Sequence, residues 1–210
     1  MGIVTSGIPA QITLQLAALD GADVFIETGT YLGGTTKWAS THFDLVYTIE
    51  RAENLYRQNS VELSGLKGVL PLLGDSRHVL PAVLKEVAQR KAVIWLDGHW
   101  SGGNTAGDGD ECPLLEELAT LRDRSQDIIL IDDARLFLCA PPRPHTPSQW
   151  PTISDITAAF TRFKQSPFVQ IVDDVIFAIP EDAALKDVLV EYAQRRSDEF
   201  WQTFSSLQRG

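Results

Sequence analysis

Acidic residues follow the short apolar runs of this sequence at regular intervals. Four runs with the length of a buried strand end in a carboxylate, and a fifth ends at a Gly-Asp pair. The acids are Glu27, Glu50, Asp75, Asp97, Asp132 and the adjacent Asp133. A single acid in such a place is as easily a helix cap. Because ligands of open parallel sheets bind at the carboxyl ends of the strands, the repetition predicts one shared site.

The runs that carry these acids alternate with helical stretches along the chain. The strand-like runs cover residues 23–27, 45–50, 68–75, 92–97 and 127–132. Strands that alternate with helices predict a mostly parallel sheet with helices on both faces. Two further runs, 168–172 and 175–179, flank Asp173 and Asp174 and predict a hairpin. The predicted fold class is therefore α/β, with a doubly wound, mostly parallel seven-stranded sheet that ends in a C-terminal antiparallel hairpin.

The whole chain, residues 1–210, is interpreted as a single domain. Its length is enough for one hydrophobic core, and neither a repeat nor a linker divides it. A helix over 9–19 precedes a core over 20–180, and a C-terminal helix covers 181–208. A proline-rich stretch at 140–151 interrupts the alternation and predicts a loop or lid.

The composition argues against several classes of partner. The sequence has 28 acidic and 18 basic side chains, which gives a formal charge of −10. Such a charge argues against nucleic acid and against anionic membranes as partners. No apolar run approaches the length of a membrane span, and the N-terminus lacks the basic region of a secretion signal. Because there are only two cysteines, we expect a reducing, cytoplasmic location.

The glycine-rich segment after the first strand restricts the choice of cofactor. It reads ETGTYLGG over residues 27–34, and Tyr31 stands where a dinucleotide-binding loop has its middle glycine. A bulky side chain there argues against a pyrophosphate. A cofactor without phosphates fits better, with a carboxylate at the helix N-terminus over residues 33–36. Glu50 has the position of an acid that binds ribose hydroxyls in such folds.

Five segments together resemble a known family. They are ETGTYLGG at 27–34, YTIE at 47–50, GDS at 74–76, WLD at 95–97 and IDD at 131–133. In order and spacing they look like a class I S-adenosylmethionine-dependent methyltransferase, most similar to the small metal-dependent O-methyltransferases of the catechol O-methyltransferase type. The resemblance covers residues 20–180. It implies a Rossmann-like methyltransferase fold and methyl transfer to a hydroxyl.

The resemblance also implies how S-adenosylmethionine would be held. Residues 27–34 would wrap its methionine part, Glu50 would accept hydrogen bonds from the ribose hydroxyls, and Asp75 and Ser76 would flank the adenine. The cofactor-binding residues implied in this way are Glu27, Gly29, Thr30, Tyr31, Gly33, Gly34, Thr35, Glu50, Asp75, Ser76, Asp97, His99 and Trp100.

Three acids after the fourth and fifth strands match the metal ligands of that family. Asp97, Asp132 and Asp133 would hold a divalent cation, Mg²⁺ or Mn²⁺, which prefer oxygen ligands. The family's third ligand is usually Asn, so Asp133 makes the site more anionic unless one acid points away. Arg135 either neutralises these acids when no metal is bound, holds an anionic substrate or forms a structural ion pair.

The family's catalytic lysine has no counterpart in this sequence. The segment after the fourth strand reads DGHW over 97–100, with Gly98 as an extra residue. His99 either acts as the general base, with Asp97 as its partner, or lines the cofactor pocket as the family's histidine does. The loop 101–113 that follows could close over an acceptor. Four aromatic residues either wall an acceptor pocket or pack under the proline-rich loop: Trp100, Phe137, His145 and Trp150.

Four functions compete for these residues. The first is a metal-assisted O-methyltransferase that acts on a small-molecule hydroxyl, in a phenol, a catechol or a sugar. The second is a metal-independent methyltransferase with His99 and Asp97 as its base pair. A nucleotide- or sugar-modifying enzyme such as an NAD-dependent epimerase is opposed by Tyr31 and by the lack of a Tyr-x-x-x-Lys pair. The fourth is a binding module without activity. The first and last helices could pair two subunits in a homodimer.

Overall fold

The computed structural model describes residues 7–102 and 105–207, with the backbone alone for 205–207. A seven-stranded sheet forms the centre of this part of the chain. Its strands are β1 (Val24–Thr28), β2 (Leu45–Glu50), β3 (Val69–Leu73), β4 (Ala92–Leu96), β5 (Ile128–Ile131), β6 (Phe168–Val172) and β7 (Val175–Ile179). The helices are α1 (Ala10–Asp20), α2 (Gly34–Ala39), α3 (Glu53–Ser64), α4 (Ser76–Glu86), α5 (Leu114–Thr120), α6 (Arg135–Leu138), α7 (Ile153–Phe160) and α8 (Ala183–Leu207), with a 3₁₀ turn at Pro147–Gln149.

The order of the strands determines where a ligand can bind. From edge to edge the order is β3-β2-β1-β4-β5-β7-β6. Strands β1 to β5 run parallel, whereas β7 pairs antiparallel with both β5 and β6. The predicted α/β class, the seven strands and the closing antiparallel hairpin are confirmed. Between β1 and β4 the direction of the strand order reverses, and ligands of open sheets bind beyond the strand ends at such a reversal.

Apolar layers cover both faces of the sheet. Successive side chains of a strand point to opposite faces, so Ile26 and Ile94 pack with α4, α5 and α7, whereas Phe25 and Trp95 pack with α1 and α8. All five residues of β1 and all five of β4 are buried. Continuous burial of this kind is typical of parallel strands covered on both sides. This burial fixes the positions of the strand ends and of the acids that lie there.

The hairpin between β6 and β7 turns at Asp173 and Asp174. Both have a positive φ, of 50° and 65°, which is the conformation of the tight turn that the sequence predicts. Asp173 accepts hydrogen bonds from Tyr192 and Arg196 on α8, and Asp174 accepts two from Arg135. The turn therefore holds the last helix on one side and the segment after β5 on the other.

Two helices end where the chain turns to bury a side chain. Helix α5 ends at Thr120. The chain turns there, and the buried guanidinium of Arg124 pairs with Asp127 and donates to carbonyl groups at the end of α4. Helix α7 ends at Phe160 for a similar reason, because the chain turns to pack Phe163 into the core.

The ends of the chain agree with the predicted helices as far as they are described. Helix α1 begins at Ala10, one residue after the predicted start, and α8 reaches Leu207. Residue 208, the predicted end of the last helix, lies outside the described residues. Within 7–102 and 105–207, no helix combines the length and the apolar character needed to cross a membrane. The single-domain organisation over 1–210 stays a prediction.

Candidate functional site

A cavity of about 600 Å³ opens beyond the carboxyl ends of β1, β2 and β4, beside the reversal of the strand order. Seven of the predicted site residues line it, namely Gly29, Tyr31, Glu50, Asp75, Ser76, Asp97 and His99. The other predicted residues lie outside this lining, namely Glu27, Thr30, Gly33, Gly34, Thr35, Trp100, Asp132 and Asp133. The residues expected to bind ribose and adenine therefore line the same cavity as His99, the predicted base.

The loop after β1 approaches β4 most closely at Gly29. Gly29 has a φ of +84°, and a Cβ atom there would lie 2.1 Å from the carbonyl oxygen of Asp97. The Gly29 amide donates a hydrogen bond of 2.9 Å to the carbonyl of Ile49 on β2. Glycine is required here both for its conformation and for the space that it leaves.

Glu27 lies behind this loop. The Glu27 carboxylate is buried, and its Oε2 accepts hydrogen bonds from the hydroxyls of Thr36 and Thr48, at 2.5 and 2.6 Å. The hydroxyls of Thr48 and Thr30 share a further hydrogen bond of 2.6 Å. Burial raises the pKa of Glu27 to about 7, although the threonine hydroxyls oppose the shift. Glu27 thus holds the start of α2 through Thr36 and, through Thr48, the loop residue Thr30.

Glu50 ends β2 with both carboxylate oxygens bound by backbone amides. Its Oε2 accepts a hydrogen bond from the Tyr31 amide at 2.9 Å, and its Oε1 accepts one from the Ala52 amide at 2.7 Å. Tyr31 has a φ of +47°, and its carbonyl accepts a hydrogen bond of 2.7 Å from Nδ2 of Asn59. Because each carboxylate oxygen can accept a second hydrogen bond, Glu50 keeps acceptor capacity towards the cavity.

Two arginines tie the loop after β4 to the opposite wall of the cavity. Asp75 caps α4 through the amide of Arg77, at 3.0 Å, and also pairs with the Arg77 guanidinium at 2.6 Å. Arg77 and Arg51 each donate a hydrogen bond of 3.1 Å to Asp110, within the loop predicted to close over an acceptor. Hydrogen bonds from Arg77 hold the pKa values of Asp75 and Asp110 below their usual range. The sequence does not single out either arginine, because their pairing depends on the tertiary fold.

The acids after β4 and β5 meet a histidine and an arginine. Nε2 of His99 lies 3.4 Å from Oδ1 of Asp97 and 3.3 Å from Oδ2 of Asp133. The other oxygen of Asp133 pairs with Nη1 of Arg135 at 2.7 Å. Oδ1 of Asp132 accepts a hydrogen bond of 2.8 Å from the Asp133 amide. His99 therefore lies between two of the predicted acids.

Burial and mutual repulsion alter the protonation of this acid cluster (Asp97, Asp132 and Asp133). Burial, together with the charges of the other two acids, raises the pKa of Asp97 well above its usual range. Burial also raises the pKa of Asp132 to about 6. The side chain of His99 is 6% exposed, and burial lowers its pKa. Neither ring nitrogen of His99 forms a hydrogen bond with any residue that the structure describes.

The divalent cation that the resemblance implies gains no support from this donor set. Among the described residues, no three His, Cys, Asp or Glu side chains form a group that could hold a metal ion. The expected convergence of Asp97, Asp132 and Asp133 on one ion is therefore not found. One oxygen of Asp133 pairs with Arg135 instead, and one oxygen of Asp132 binds a backbone amide. Mg²⁺ requires a nearly ideal octahedron of oxygens, which these contacts do not prepare.

Glu111 holds the proline-rich loop against His99. Its buried carboxylate accepts hydrogen bonds from Nε1 of Trp150 at 2.6 Å and from the Thr146 amide at 2.9 Å, and it lies 3.1 Å from Nδ1 of His145. Trp150 is buried, and its ring centroid lies 5.2 Å from that of His99. Of the two roles predicted for Trp150, the structure favours packing under the loop. The sequence gives no signal that separates Glu111 from the acidic residues around it.

A second carboxylic acid that the sequence does not single out lies under the cavity floor. Glu117 on α5 is buried, and its Oε1 forms no hydrogen bond within the described part of the chain. Burial raises the pKa of Glu117 to about 7, although the hydroxyls of Ser76 and Thr28 oppose the shift. A Cβ atom at Gly98 would lie 3.3 Å from that Oε1. The extra residue of the DGHW segment thus fits above Glu117 with little space to spare.

Comparisons with known proteins find solved structures with a similar fold, but no match from the sequence comparisons. No family model matches the sequence, and no curated protein does either. The chain is similar to the O-methyltransferase TomG from Streptomyces achromogenes, involved in tomaymycin synthesis and solved in complex with S-adenosylmethionine, with 15% identity, a TM-score of 0.53 and coverage of 84% of this chain and 82% of that one. It is also similar to a candidate caffeoyl-CoA O-methyltransferase from Staphylococcus aureus, with 14% identity, a TM-score of 0.54 and coverage of 83% and 85%. The chain has the Rossmann-like fold of the class I S-adenosylmethionine-dependent methyltransferases.

Proposed function

We propose that this protein is an S-adenosylmethionine-dependent O-methyltransferase that acts on a hydroxyl of a small molecule, in a phenol, a catechol or a sugar. The observation that carries the proposal is Glu50, a carboxylate fixed by two backbone amides at the end of β2 and inside the cavity. An acid at this strand end is the group that binds ribose hydroxyls in dinucleotide-binding sheets. The fold neighbour solved with S-adenosylmethionine supports the same cofactor.

The residues around the cavity fit this cofactor. Glu50 can accept hydrogen bonds from the ribose, and Asp75 and Ser76, after the neighbouring strand β3, would flank the adenine. The loop that Gly29 brings against β4 would hold the methionine part. When bound, S-adenosylmethionine supplies a methyl group on a positively charged sulfur, and a cavity edged by carboxylates favours that charge. Direct contacts of the cofactor with Glu27, Thr30, Gly33, Gly34, Thr35 and Trp100 stay predictions.

His99 is the residue that we assign as general base, with Asp97 as its partner. Because burial lowers its pKa, the imidazole is neutral at neutral pH and one ring nitrogen can accept the proton of the acceptor hydroxyl. Asp97 and Asp133, at 3.4 and 3.3 Å from Nε2, would then stabilise the imidazolium. The buried rings of Trp150 and His99 pack together and exclude water from that side.

The cofactor is tested by isothermal titration with S-adenosylmethionine, S-adenosylhomocysteine and NAD. We expect one equivalent of each of the first two to bind and NAD to give no heat. A loop with Tyr31 in place of the middle glycine disfavours the pyrophosphate of NAD. Binding of NAD alone would support the nucleotide- or sugar-modifying enzyme instead. Binding of S-adenosylmethionine without transfer to any acceptor would support a binding module.

The base is tested with His99→Ala, assayed by transfer of labelled methyl groups to a panel of phenols, catechols and sugars. We expect kcat to fall by about 100-fold or more, since a general base typically contributes that much, while the affinity for S-adenosylhomocysteine changes little. His78→Ala, which removes an exposed histidine at the start of α4, is the matched control and should leave kcat unchanged. Equal activity of both variants would remove His99 from the mechanism.

A homodimer, the exclusion of nucleic acid and a cytoplasmic location also stay proposals. A homodimer through the first and last helices draws support from exposed aromatic side chains on α8, namely Phe200, Trp201 and Phe204. Within one chain, α1 and α8 already pack against each other. The exclusion of nucleic acid and the cytoplasmic location continue to depend on composition alone.

A further inference from the structure

We propose that the guanidinium of Arg135 is the resident cation of the acid cluster, and that the proposed methyl transfer therefore needs no divalent metal. The inference rests on the proposed function for its catalytic meaning. Its structural content, that Arg135 occupies the charge position that a metal would fill, can be tested by itself.

The guanidinium contacts the cluster directly. Nη1 of Arg135 lies 2.7 Å from Oδ1 of Asp133, while the second oxygen of that carboxylate faces His99 at 3.3 Å. Both oxygens of Asp133 thus already face a nitrogen-bearing side chain. A divalent ion bound to Asp133 would have to displace Arg135 or share its carboxylate with a like charge a few ångströms away. Repulsion between like charges at such a distance in a partly buried site is strongly unfavourable.

Arg135 is held in place from its other side by the hairpin turn. Asp174 accepts a hydrogen bond of 2.9 Å from the Arg135 amide and pairs with Nη1 of the same residue. The carbonyl of Asp174 accepts a hydrogen bond of 2.8 Å from the Ala134 amide. Asp174 is buried, and it adopts its positive φ in the tight turn between β6 and β7. Moving Arg135 away would leave this carboxylate buried without its cation, which is strongly unfavourable.

The backbone after β5 engages one further oxygen of the acid cluster. One oxygen of Asp132 accepts the amide of Asp133, and Asp133 has a φ of +56° that sets the direction of the following turn. The backbone between β5 and α6 thus directs Arg135 towards the cluster. In such a site the positive charge belongs to a side chain of the protein, the guanidinium of Arg135, and not to a bound ion.

The test is a titration of the full chain with Mn²⁺, followed by the electron paramagnetic resonance signal of the free ion, in wild type and in Arg135→Met. We expect no binding to wild type at micromolar Mn²⁺ and a gain of at least about tenfold in affinity for Arg135→Met, because Asp133 and Asp174 then lack the cation that pairs with both. Arg162→Met, which removes an exposed arginine, is the matched control and should behave as wild type. Tight, stoichiometric binding of Mn²⁺ to wild type that Asp133→Ala abolishes would overturn the inference.

A second variant covers the case in which Arg135→Met does not fold. Arg135→Gln removes the positive charge but keeps side-chain N–H donors for Asp174. We expect it to gain Mn²⁺ affinity as Arg135→Met does, and unchanged absence of binding in a folded Arg135→Gln would count against the inference. Titration with S-adenosylhomocysteine in EDTA separates the two proposals. Loss of that binding in EDTA contradicts metal independence, whereas no binding under any condition contradicts the proposed function and leaves the Mn²⁺ result to stand on its own.

Discussion

The carboxyl edge of the sheet has two halves that neutralise their acids in different ways. In the cofactor half (Glu27, Glu50 and Asp75), neutral hydroxyls bind Glu27 and backbone amides bind Glu50. In the half formed by the acid cluster, carboxylates lie near each other and near His99, and one of them pairs with Arg135. At Glu27 and Glu50 the first half is therefore arranged by neutral donors that are fixed in advance, and only its outer acid, Asp75, pairs with a cation, Arg77. The second half is arranged by charge.

The difference matters for what each half can bind. Backbone amides and threonine hydroxyls fix the orientation of the carboxylates that they bind, so the cofactor half offers acceptors of defined direction for hydroxyl groups. In the acid cluster, burial and repulsion raise the pKa values of Asp97 and Asp132, so added positive charge is favoured. The first half is suited to recognise shape, and the second to stabilise a cation and to take up a proton.

The largest effect is expected where the two halves touch, at Gly29. In Gly29→Ala the new Cβ would meet the carbonyl of Asp97 at 2.1 Å, and the φ of +84° is unfavourable for alanine. We expect the free energy of unfolding to fall by about 3 kcal/mol or more, from overlap and backbone strain together. The affinity for S-adenosylhomocysteine should fall by more than about 100-fold. Urea unfolding and isothermal titration measure the two effects.

Gly21→Ala is the matched control for this variant. Gly21 follows α1 with a similar φ of +77°, and a Cβ there would meet no described atom within 4 Å. We expect a loss of about 1 kcal/mol in stability, from backbone strain alone, and little change in affinity. If both substitutions weakened binding equally, the close approach at Gly29 would not be what joins the halves.

The cofactor half and the fold could be predicted from the sequence because their signals are local. Alternating apolar runs and helical stretches predicted the strands, and turn-forming residues predicted the hairpin at Asp173 and Asp174. The predicted residues Glu50, Asp75 and Ser76 do line one cavity. Each of these depends on residues that are neighbours along the chain or at neighbouring strand ends.

The acid cluster could not be predicted in detail, because its partners are far apart along the chain. The pair between Arg135 and Asp174 joins the segment after β5 to a hairpin turn, and the bond between Glu111 and Trp150 joins two loops. A sequence pattern gives the positions of carboxylates but not which cation or amide will reach them. For this reason the sequence predicts a metal site at Asp97, Asp132 and Asp133. It shows the three acids, but it leaves several roles open for Arg135.

Glu117, beneath the junction of the two halves, should give the next largest effect. Burial raises its pKa to about 7 from 4.5, so the folded state holds a proton that the unfolded chain releases near pH 4.5. The associated stability is fully present below pH 4.5 and is lost as the pH rises towards 7. Glu117→Gln cannot ionise. Relative to wild type, its free energy of unfolding should therefore rise between pH 4 and pH 8, by at most about 3 kcal/mol.

The control for that pH dependence is Glu116→Gln. Glu116 is exposed and precedes Glu117 in the first turn of α5, so the substitution makes the same change of charge at the same helix end. We expect its unfolding free energy to follow wild type at both pH values. Urea denaturation at pH 4 and pH 8 measures all three proteins. A constant difference between Glu117→Gln and wild type would show that Glu117 is ionised in the fold, as the solvated acids are.

The smallest of these effects tests the recognition assigned to the cofactor half. In Glu50→Gln the side-chain amide must turn one N–H group towards the backbone amide of Tyr31 or Ala52, so one of the two hydrogen bonds is lost. We expect the affinity for S-adenosylhomocysteine to fall about 30-fold, or about 2 kcal/mol, because a hydrogen bond to a charged group is replaced by a weaker one. Glu53→Gln, an exposed acid in the first turn of α3, is the control and should bind as wild type. If Glu50→Gln folded and bound as wild type, the cavity would recognise its ligand without the carboxylate, and the two halves would no longer differ in the way proposed.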